Sequence, residues 1–207
     1  MRDTRAFLVI LIVALACATV QATAAQGEKA GPPKSIAGLS LGEAVSAFKE
    51  SLDMGTDQTI WNQSWFRQVE IKALPGFQGG YLLYGNCLDP ERVVRIKLKY
   101  ADDSPGFFDR LQTALQDRYG RGEWRGDPFG TLRAWKWGFT DARGDSISLI
   151  LEHYSGEDES YTAGNSIRLA NRSAMLREKT CGEARLNSEG QGQAPVEAPS
   201  FDWYLPK

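Results

Sequence analysis

The sequence predicts an α+β domain, in which an antiparallel sheet of about six strands and two main helices on one of its faces form a two-layer sandwich. Three observations support this fold class. Several segments alternate apolar and polar residues with a period of two and are joined by short turns. Two segments have the spacing of amphipathic helices, and the elements come in the order helix, three strands, helix, three strands. Hairpin-linked strands pair antiparallel, and two such helices suffice to cover one sheet face.

The first predicted element is a helix over residues 40–52. Ser40 is placed as its N-cap and Glu43 as the capping-box partner three residues later. Its apolar face would contain Leu41, Val45, Phe48 and Leu52. We interpret the polar segment around Gly55, which follows, as a loop.

Three strands are predicted next, over residues 66–73, 81–87 and 93–100. The third has the clearest pattern in the chain, in which apolar and basic residues alternate strictly. The apolar residues are Val94, Ile96, Leu98 and Tyr100, and the basic ones are Arg95, Lys97 and Lys99. One face of this strand is therefore expected in the core, and the other is basic.

A second helix is predicted over residues 105–119. Ser104 is placed as its cap, Pro105 at the first helical position and Gly120 at the end. Apolar residues follow one another at four-residue spacing: Phe107, Leu111, Leu115 and Tyr119. Cap, period and stop signal all agree on these bounds.

Three further strands are predicted over residues 132–139, 146–153 and 165–169. A tight turn beginning at Asp141 joins the first two of them. A short helix over residues 173–179 completes the domain.

The start of the chain has the organisation of a secretory signal peptide, which we place at residues 1–25. Arg2 and Arg5 precede an apolar run over residues 6–18, and small residues follow. The run is about 13 residues long, which is short of the roughly 20 that cross a bilayer as a helix. We therefore expect a soluble periplasmic protein, exported by a cleavable signal. The alternative is a lipoprotein anchored through Cys17.

Composition divides the rest of the chain into three parts. Residues 26–35 are predicted to be a flexible lead-in, residues 36–185 a single α+β domain, and residues 186–207 a disordered tail. The tail ends in an aromatic cluster over residues 201–206. We expect this cluster to pack back onto the domain, with docking to a partner as the alternative.

Two cysteines remain once Cys17 is assigned to the signal. Cys87 and Cys181 are an even number in an oxidising compartment, so the sequence predicts a disulfide between them. Two separate buried thiols are the alternative.

The charge pattern bears on the kind of partner. The formal net charge is −2, which does not support nucleic-acid binding. A local basic stripe is the predicted surface for an anionic partner, and it contains Arg95, Lys97 and Lys99 with Lys136 and Arg168 on neighbouring strands. Trp124, in a glycine-rich loop, is a second candidate binding residue. The alternative for the stripe is an ordinary solvated surface.

The equipment for common catalytic mechanisms is sparse in this sequence. His153 is the single histidine of the chain, and its strand parity points it inward, which favours a structural role. Cysteine and histidine do not occur at zinc-ligand spacing, so we predict neither a metal nor a cofactor and name no catalytic residue.

Three local motifs resemble those of small uncharacterised exported bacterial proteins of the α+β type. They are residues 38–42 at the entry to the first helix, residues 118–120 at the end of the second, and the tryptophan-containing hairpin. The resemblance spans roughly residues 36–169 and implies a Gram-negative periplasm without any catalytic residue. We therefore expect a non-enzymatic module that binds a protein or another envelope component. A hydrolase of envelope polymers with paired carboxylates and a protein inhibitor of an envelope enzyme are the alternatives.

Overall fold

A computed structural model describes residues 30–190 of the chain, and one antiparallel sheet of eight strands dominates it. The predicted signal peptide, Cys17 and the terminal aromatic cluster lie outside the described residues. The first elements are β1 (Ser35–Ile36), β2 (Leu39–Ser40), a 3₁₀ helix (Val45–Ser51), β3 (Leu52–Ile60), β4 (Gln63–Ile71), β5 (Phe77–Gly85) and β6 (Val93–Tyr100). The remaining ones are α1 (Pro105–Tyr119), β7 (Glu123–Trp124), β8 (Leu132–Thr140), β9 (Ser146–Tyr154), β10 (Gly164–Asn171) and α2 (Arg172–Gly190).

The large sheet consists of two meanders that meet at its centre. Its strand order is β3-β4-β5-β6-β10-β9-β8-β7, so each half pairs strands that follow one another in the sequence. The halves join where β6 and β10 pair antiparallel, with Ile96 opposite Leu169. β1 and β2 form a separate two-stranded sheet. The α+β class and the antiparallel sheet are thus confirmed.

The sheet has eight strands rather than the predicted six, because β3 and β7 were not expected. β3 lies at one edge of the sheet, and its pairing with β4 is interrupted between Asp53 and Gln58. Interrupted edge strands need not alternate apolar and polar residues, so the segment has no period-two pattern. β7 contains two residues, too few for any periodicity.

The helix predicted over residues 40–52 is wrong. Ser40 belongs to β2, and only Val45–Ser51 form a helix, of the 3₁₀ type. The backbone of the intervening residues is held by the start of β6: the Val93 N–H donates to the Glu43 carbonyl at 2.9 Å, and the Gly42 N–H donates to the Val93 carbonyl at 2.8 Å. These contacts replace the hydrogen bonds that an α-helix would need there.

The two helices contact different sets of core residues. α1 begins as predicted, with Ser104 Oγ accepting from the Phe107 N–H at 3.3 Å, and it buries Phe108 completely against the main apolar cluster, which contains Ile96. α2 instead contacts a smaller cluster through Ala174 and Met175; this cluster comprises Trp65, Phe66, Leu83 and Val94. Leu82 of β5 belongs to the main cluster and the next residue, Leu83, to the smaller one. Because neighbouring side chains of a strand point to opposite faces, the placement of both helices on one face is not confirmed.

Within residues 30–190, no helix is long and apolar enough to cross a bilayer.

Candidate functional site

The predicted basic stripe lies on the sheet face that also meets α2. Lys97 on β6 stands directly opposite Arg168 on β10, which stands opposite Ile150 on β9. Ile150 in turn stands opposite Lys136 on β8. Directly opposite residues of antiparallel strands share a face, so this row carries three cations across four strands.

A single carboxylate offsets the charge at the centre of the row. Glu152 lies 3.7 Å from the Lys97 Nζ and 3.3 Å from the Arg168 Nη2. Burial lowers the pKa of the Lys97 ammonium, while the Glu152 carboxylate opposes that shift. The middle of the stripe is therefore a half-buried ion-pair network, not a row of free cations.

Arg95, unlike Lys97 and Arg168, has no carboxylate partner among residues 30–190, and the same holds for Lys99 and Lys136 of the stripe. Arg95 differs from those two lysines in having a buried nitrogen without a hydrogen-bond partner in that range. Its Nη2 donates to the Met175 sulfur at 3.5 Å, and its Nε is buried without a hydrogen-bond partner among residues 30–190. In that same range, no carboxylate oxygen lies within 4.0 Å of its nitrogens. Burial lowers the pKa of the Arg95 guanidinium, and the nearby cations Arg168 and Arg172 lower it further, although Tyr81 acts in the opposite direction.

Arg95 lines a hollow between α2 and the hairpin that joins β3 to β4. The hollow has a volume of about 590 Å³. Its walls combine apolar and charged side chains, with Asn62, Gln63, Trp65, Phe66, Arg95, Arg172, Met175, Leu176, Lys179 and Glu183. Trp65 Nε1 is also buried without a hydrogen-bond partner within the described part of the chain. Two unsatisfied N–H donors thus belong to one hollow, and buried donors normally have an acceptor.

Glu178 fixes α2 beside this hollow. Its carboxylate, 2 % exposed, accepts hydrogen bonds from four consecutive backbone N–H groups of the loop after β5. The donors and distances are Asn86 at 3.3 Å, Cys87 at 2.8 Å, Leu88 at 3.1 Å and Asp89 at 2.6 Å. A carboxylate that receives several N–H groups in this way is well compensated for its burial.

The disulfide predicted from the sequence holds the same loop. The sulfurs of Cys87 and Cys181 are 2.04 Å apart, so this prediction is confirmed. Cys181 follows Glu178 by one helical turn, and both residues therefore face the same loop.

Gly182 lets α2 approach the hollow closely. A Cβ atom at this position would lie 2.6 Å from the Trp65 Cβ and 2.5 Å from a carbon of its ring. Both distances are far below an ordinary carbon contact, so the indole occupies the space that any side chain would need.

Two acidic residues of the β8–β9 turn near the start of α2, Asp141 and Asp145, are engaged in structural hydrogen bonds. Asp145 accepts from Arg177 at 2.8 Å and from Asn171 at 2.9 Å, and these hydrogen bonds lower the pKa of its carboxyl to about 2. Asp141 accepts from the backbone N–H groups of Arg143 and Asp145 within the β8–β9 turn. A general acid must hold a proton near neutral pH, which Asp145 does not. Among the described residues, no group of three or more His, Cys, Asp or Glu side chains is placed to hold a metal ion.

Trp124 is not brought together with the basic stripe. It lies on β7 opposite Trp135, with the two ring centroids 5.4 Å apart in an edge-to-face arrangement. Trp135 packs against the main apolar cluster, whereas its neighbour Lys136 belongs to the basic row. Trp124 therefore sits at the sheet edge on the other face, 45 % exposed.

His153 is part of a buried network, as its strand parity indicated. Its Nδ1 is 2.8 Å from the Asn165 Oδ1. The Asn165 amide nitrogen donates to the carbonyls of Asp102 and Ser104, both at 2.9 Å. The pair therefore ties β9 and β10 to the start of α1, where His153 also packs beside Phe108.

Sequence reasoning identified Arg95 but missed the residues around it. Trp65 stands just before the predicted strand, and Met175 lies on a helix whose position no local pattern defines. The one available signal was Cys181, because the predicted disulfide brings the preceding helical turns to the loop at Cys87.

The chain was compared with models of known protein families, with curated proteins and with solved structures. None of the three comparisons found a significant match.

Proposed function

We propose that this chain is an exported, non-enzymatic binding module that captures an acidic partner in the cell envelope on the sheet face beside α2. The observation that carries the proposal is the half-buried guanidinium of Arg95, whose Nε is buried without a hydrogen-bond partner and which lacks a carboxylate partner among residues 30–190. Charged side chains are seldom buried unpaired in proteins, since desolvation of the charge is costly. An acidic group of a partner would supply the missing counter-charge.

The surroundings of Arg95 support the same partner chemistry. Lys97 is the next residue on the same face of β6, Arg172 of α2 lines the same hollow as Arg95, and Glu152 is shared by Lys97 and Arg168. The face therefore has more cations than carboxylates although the whole chain is mildly acidic, with a formal net charge of −2. Complementary charge of this kind promotes encounter with an acidic surface.

Export and an envelope location rest on two features. The first is the arrangement of residues 1–25, and the second is the Cys87–Cys181 disulfide, since such bonds persist in oxidising compartments. Mass spectrometry of the exported protein tests this part. We expect a chain cut near Ala24 with two hydrogens fewer than the dithiol form. An acylated chain beginning at Cys17 would establish the lipoprotein alternative instead.

Retention on an acidic polymer tests the binding role. We expect the full chain to be retained on immobilised poly-L-glutamate at low salt and released as salt is raised. The double variant Arg95→Gln, Lys99→Gln should elute at lower salt. Lys49→Gln with Arg118→Gln is the matched control, because it removes the same charge from exposed positions of the 3₁₀ helix and α1. Equal elution of the two double variants would refute a role for this face.

A further inference from the structure

We propose that the hollow between α2 and the β3–β4 hairpin binds an apolar carboxylate, whose oxygens accept hydrogen bonds from the Trp65 indole and the Arg95 guanidinium. This assignment rests on the proposed function and gives its ligand class. It is based on two unsatisfied donors, Trp65 Nε1 and Arg95 Nε, whose side chains line the same hollow.

Trp65 supplies a neutral donor in a fixed place. Its side chain is held by Gly182 of α2, and the residue is only 8 % exposed. Indole N–H groups donate and cannot accept, so the group that satisfies Trp65 must be an acceptor. A carboxylate oxygen meets that requirement, whereas an ammonium group does not.

Arg95 supplies the charge. Its planar guanidinium matches the two oxygens of a carboxylate. Its Nη2 donates to the Met175 thioether at 3.5 Å, and a thioether is a weak acceptor. The other group that stabilises the guanidinium is the hydroxyl of Tyr81, which carries no negative charge. Methionine side chains are flexible and fill irregular gaps, so Met175 can swing aside as a ligand enters. Binding would then exchange a weak acceptor for a charged one and open the way to the buried donors.

The remaining walls offer apolar contacts beside further positive charge from Arg172 and Lys179. Phe66, Met175 and Leu176 line the hollow, and Leu176 is 63 % exposed at its mouth. The one carboxylate in the wall, Glu183, is already 3.5 Å from the ammonium group of Lys179. A volume of about 590 Å³ is in the range of small-molecule sites and accommodates an aromatic or aliphatic acid.

The indole N–H signal of Trp65 provides a direct test. The full chain, labelled with ¹⁵N, is titrated with 3-phenylpropanoate, with the uncharged 3-phenylpropanamide and with inorganic phosphate, and Trp65→Phe identifies the signal. We expect the carboxylate to shift it downfield in a saturable way, because the N–H gains an acceptor. The amide and phosphate should leave it nearly unchanged.

Substitution at Arg95 tests the second donor. Arg95→Gln should weaken binding of 3-phenylpropanoate by about tenfold or more, and Arg95→Lys by less, since it keeps the charge but loses the fork. Lys49→Gln is the control, because it removes a charge from an exposed position of the 3₁₀ helix, outside this face. Circular dichroism of each variant checks that it is folded.

Four results would overturn the assignment. A saturable shift with the amide would show a merely apolar hollow, and a shift with phosphate alone would show a general anion site. Unchanged affinity in Arg95→Gln would remove the guanidinium from the site. No shift with any probe, while poly-L-glutamate still retains the chain, would refute this ligand class and leave the proposed function standing.

Discussion

Asp145, on the turn between β8 and β9, and Arg177, on α2, are joined by two hydrogen bonds of 2.8 and 3.2 Å. The next residue of the helix, Glu178, accepts four backbone N–H groups from the loop after β5. Adjacent residues thus tie α2 to loops from both halves of the sheet. The wall of the hollow depends on these polar anchors, because few apolar side chains of α2 are buried.

Asp145→Asn should destabilise the fold in a pH-dependent way. The pKa of Asp145 falls from about 3.9 in an unfolded chain to about 2 in the fold, chiefly through Arg177. Its contribution is therefore complete above pH 5 and is lost as the pH falls towards 2. After allowance for solvent screening we expect a loss of about 1–2 kcal/mol at pH 7.

Urea unfolding of this variant and the parent at pH 7 and pH 2.5 measures the effect. The gap between their unfolding free energies should narrow at the lower pH. Asp117→Asn, at an exposed position of α1, is the control and should show little change at either pH. A gap that is independent of pH would contradict the assigned role of the Asp145 charge.

Glu178→Gln should cost about 2–4 kcal/mol of unfolding free energy, because an amide cannot accept all four N–H groups and turns its own NH₂ towards some of them. Chemical denaturation measures this loss. Glu183→Gln on the same helix is the control, since its carboxylate is exposed and forms a surface ion pair with Lys179. Equal stability of the two variants would mean that the loop finds other acceptors.

Replacing both Cys87 and Cys181 by serine should lower the unfolding free energy by about 2–5 kcal/mol, because the bridge closes a long loop of the unfolded chain. The two cysteines are separated by 94 residues. Denaturation with and without a thiol reductant gives an independent reading: the parent should respond to the reductant and the double variant should not. Insensitivity of the parent would argue against the bridge.

Gly182→Ala should destabilise the protein although alanine is the better helix former. The added methyl group would overlap the Trp65 indole, so α2 or the ring must shift. Gly106→Ala is the matched control, because the nearest atom to its new Cβ is a flexible Arg110 nitrogen at 3.9 Å. We expect that control to be neutral or more stable by up to about 1 kcal/mol. Thermal unfolding and tryptophan fluorescence of both variants measure the difference.

Sequence patterns predicted β6 and α1 correctly, because neighbouring residues determine these two elements. β6 alternates strictly, and α1 has its cap at Ser104 and its stop at Gly120, so their bounds follow from neighbouring residues. Residues 40–52 had equally good helix signals, but hydrogen bonding between Glu43 and Val93 determined their structure. Pairings between residues so far apart in the sequence cannot be read from a local periodicity.

The candidate site was less predictable for the same reason. The alternating pattern of β6 predicted that Arg95 lies on a basic strand face. The lack of a carboxylate near Arg95 depends on tertiary contacts, which that pattern does not contain. Trp65, from β4, and Met175, from α2, complete the hollow, and their proximity depends on how the anchors of Glu178 and Cys181 place the helix. Local sequence periodicity does not encode this placement.

The two-meander sheet has a consequence for how the chain folds. Within each meander, strands pair with their sequence neighbours, so only short loops have to close. The pairing of β6 with β10 instead requires segments that are distant in the sequence to come together. Cys87 belongs to the first half and Cys181 follows the second, so the bridge tethers the two halves across this central seam. Once it forms, less chain entropy is lost when the seam closes, and the rate of acquiring the native topology becomes coupled to the redox state of the compartment.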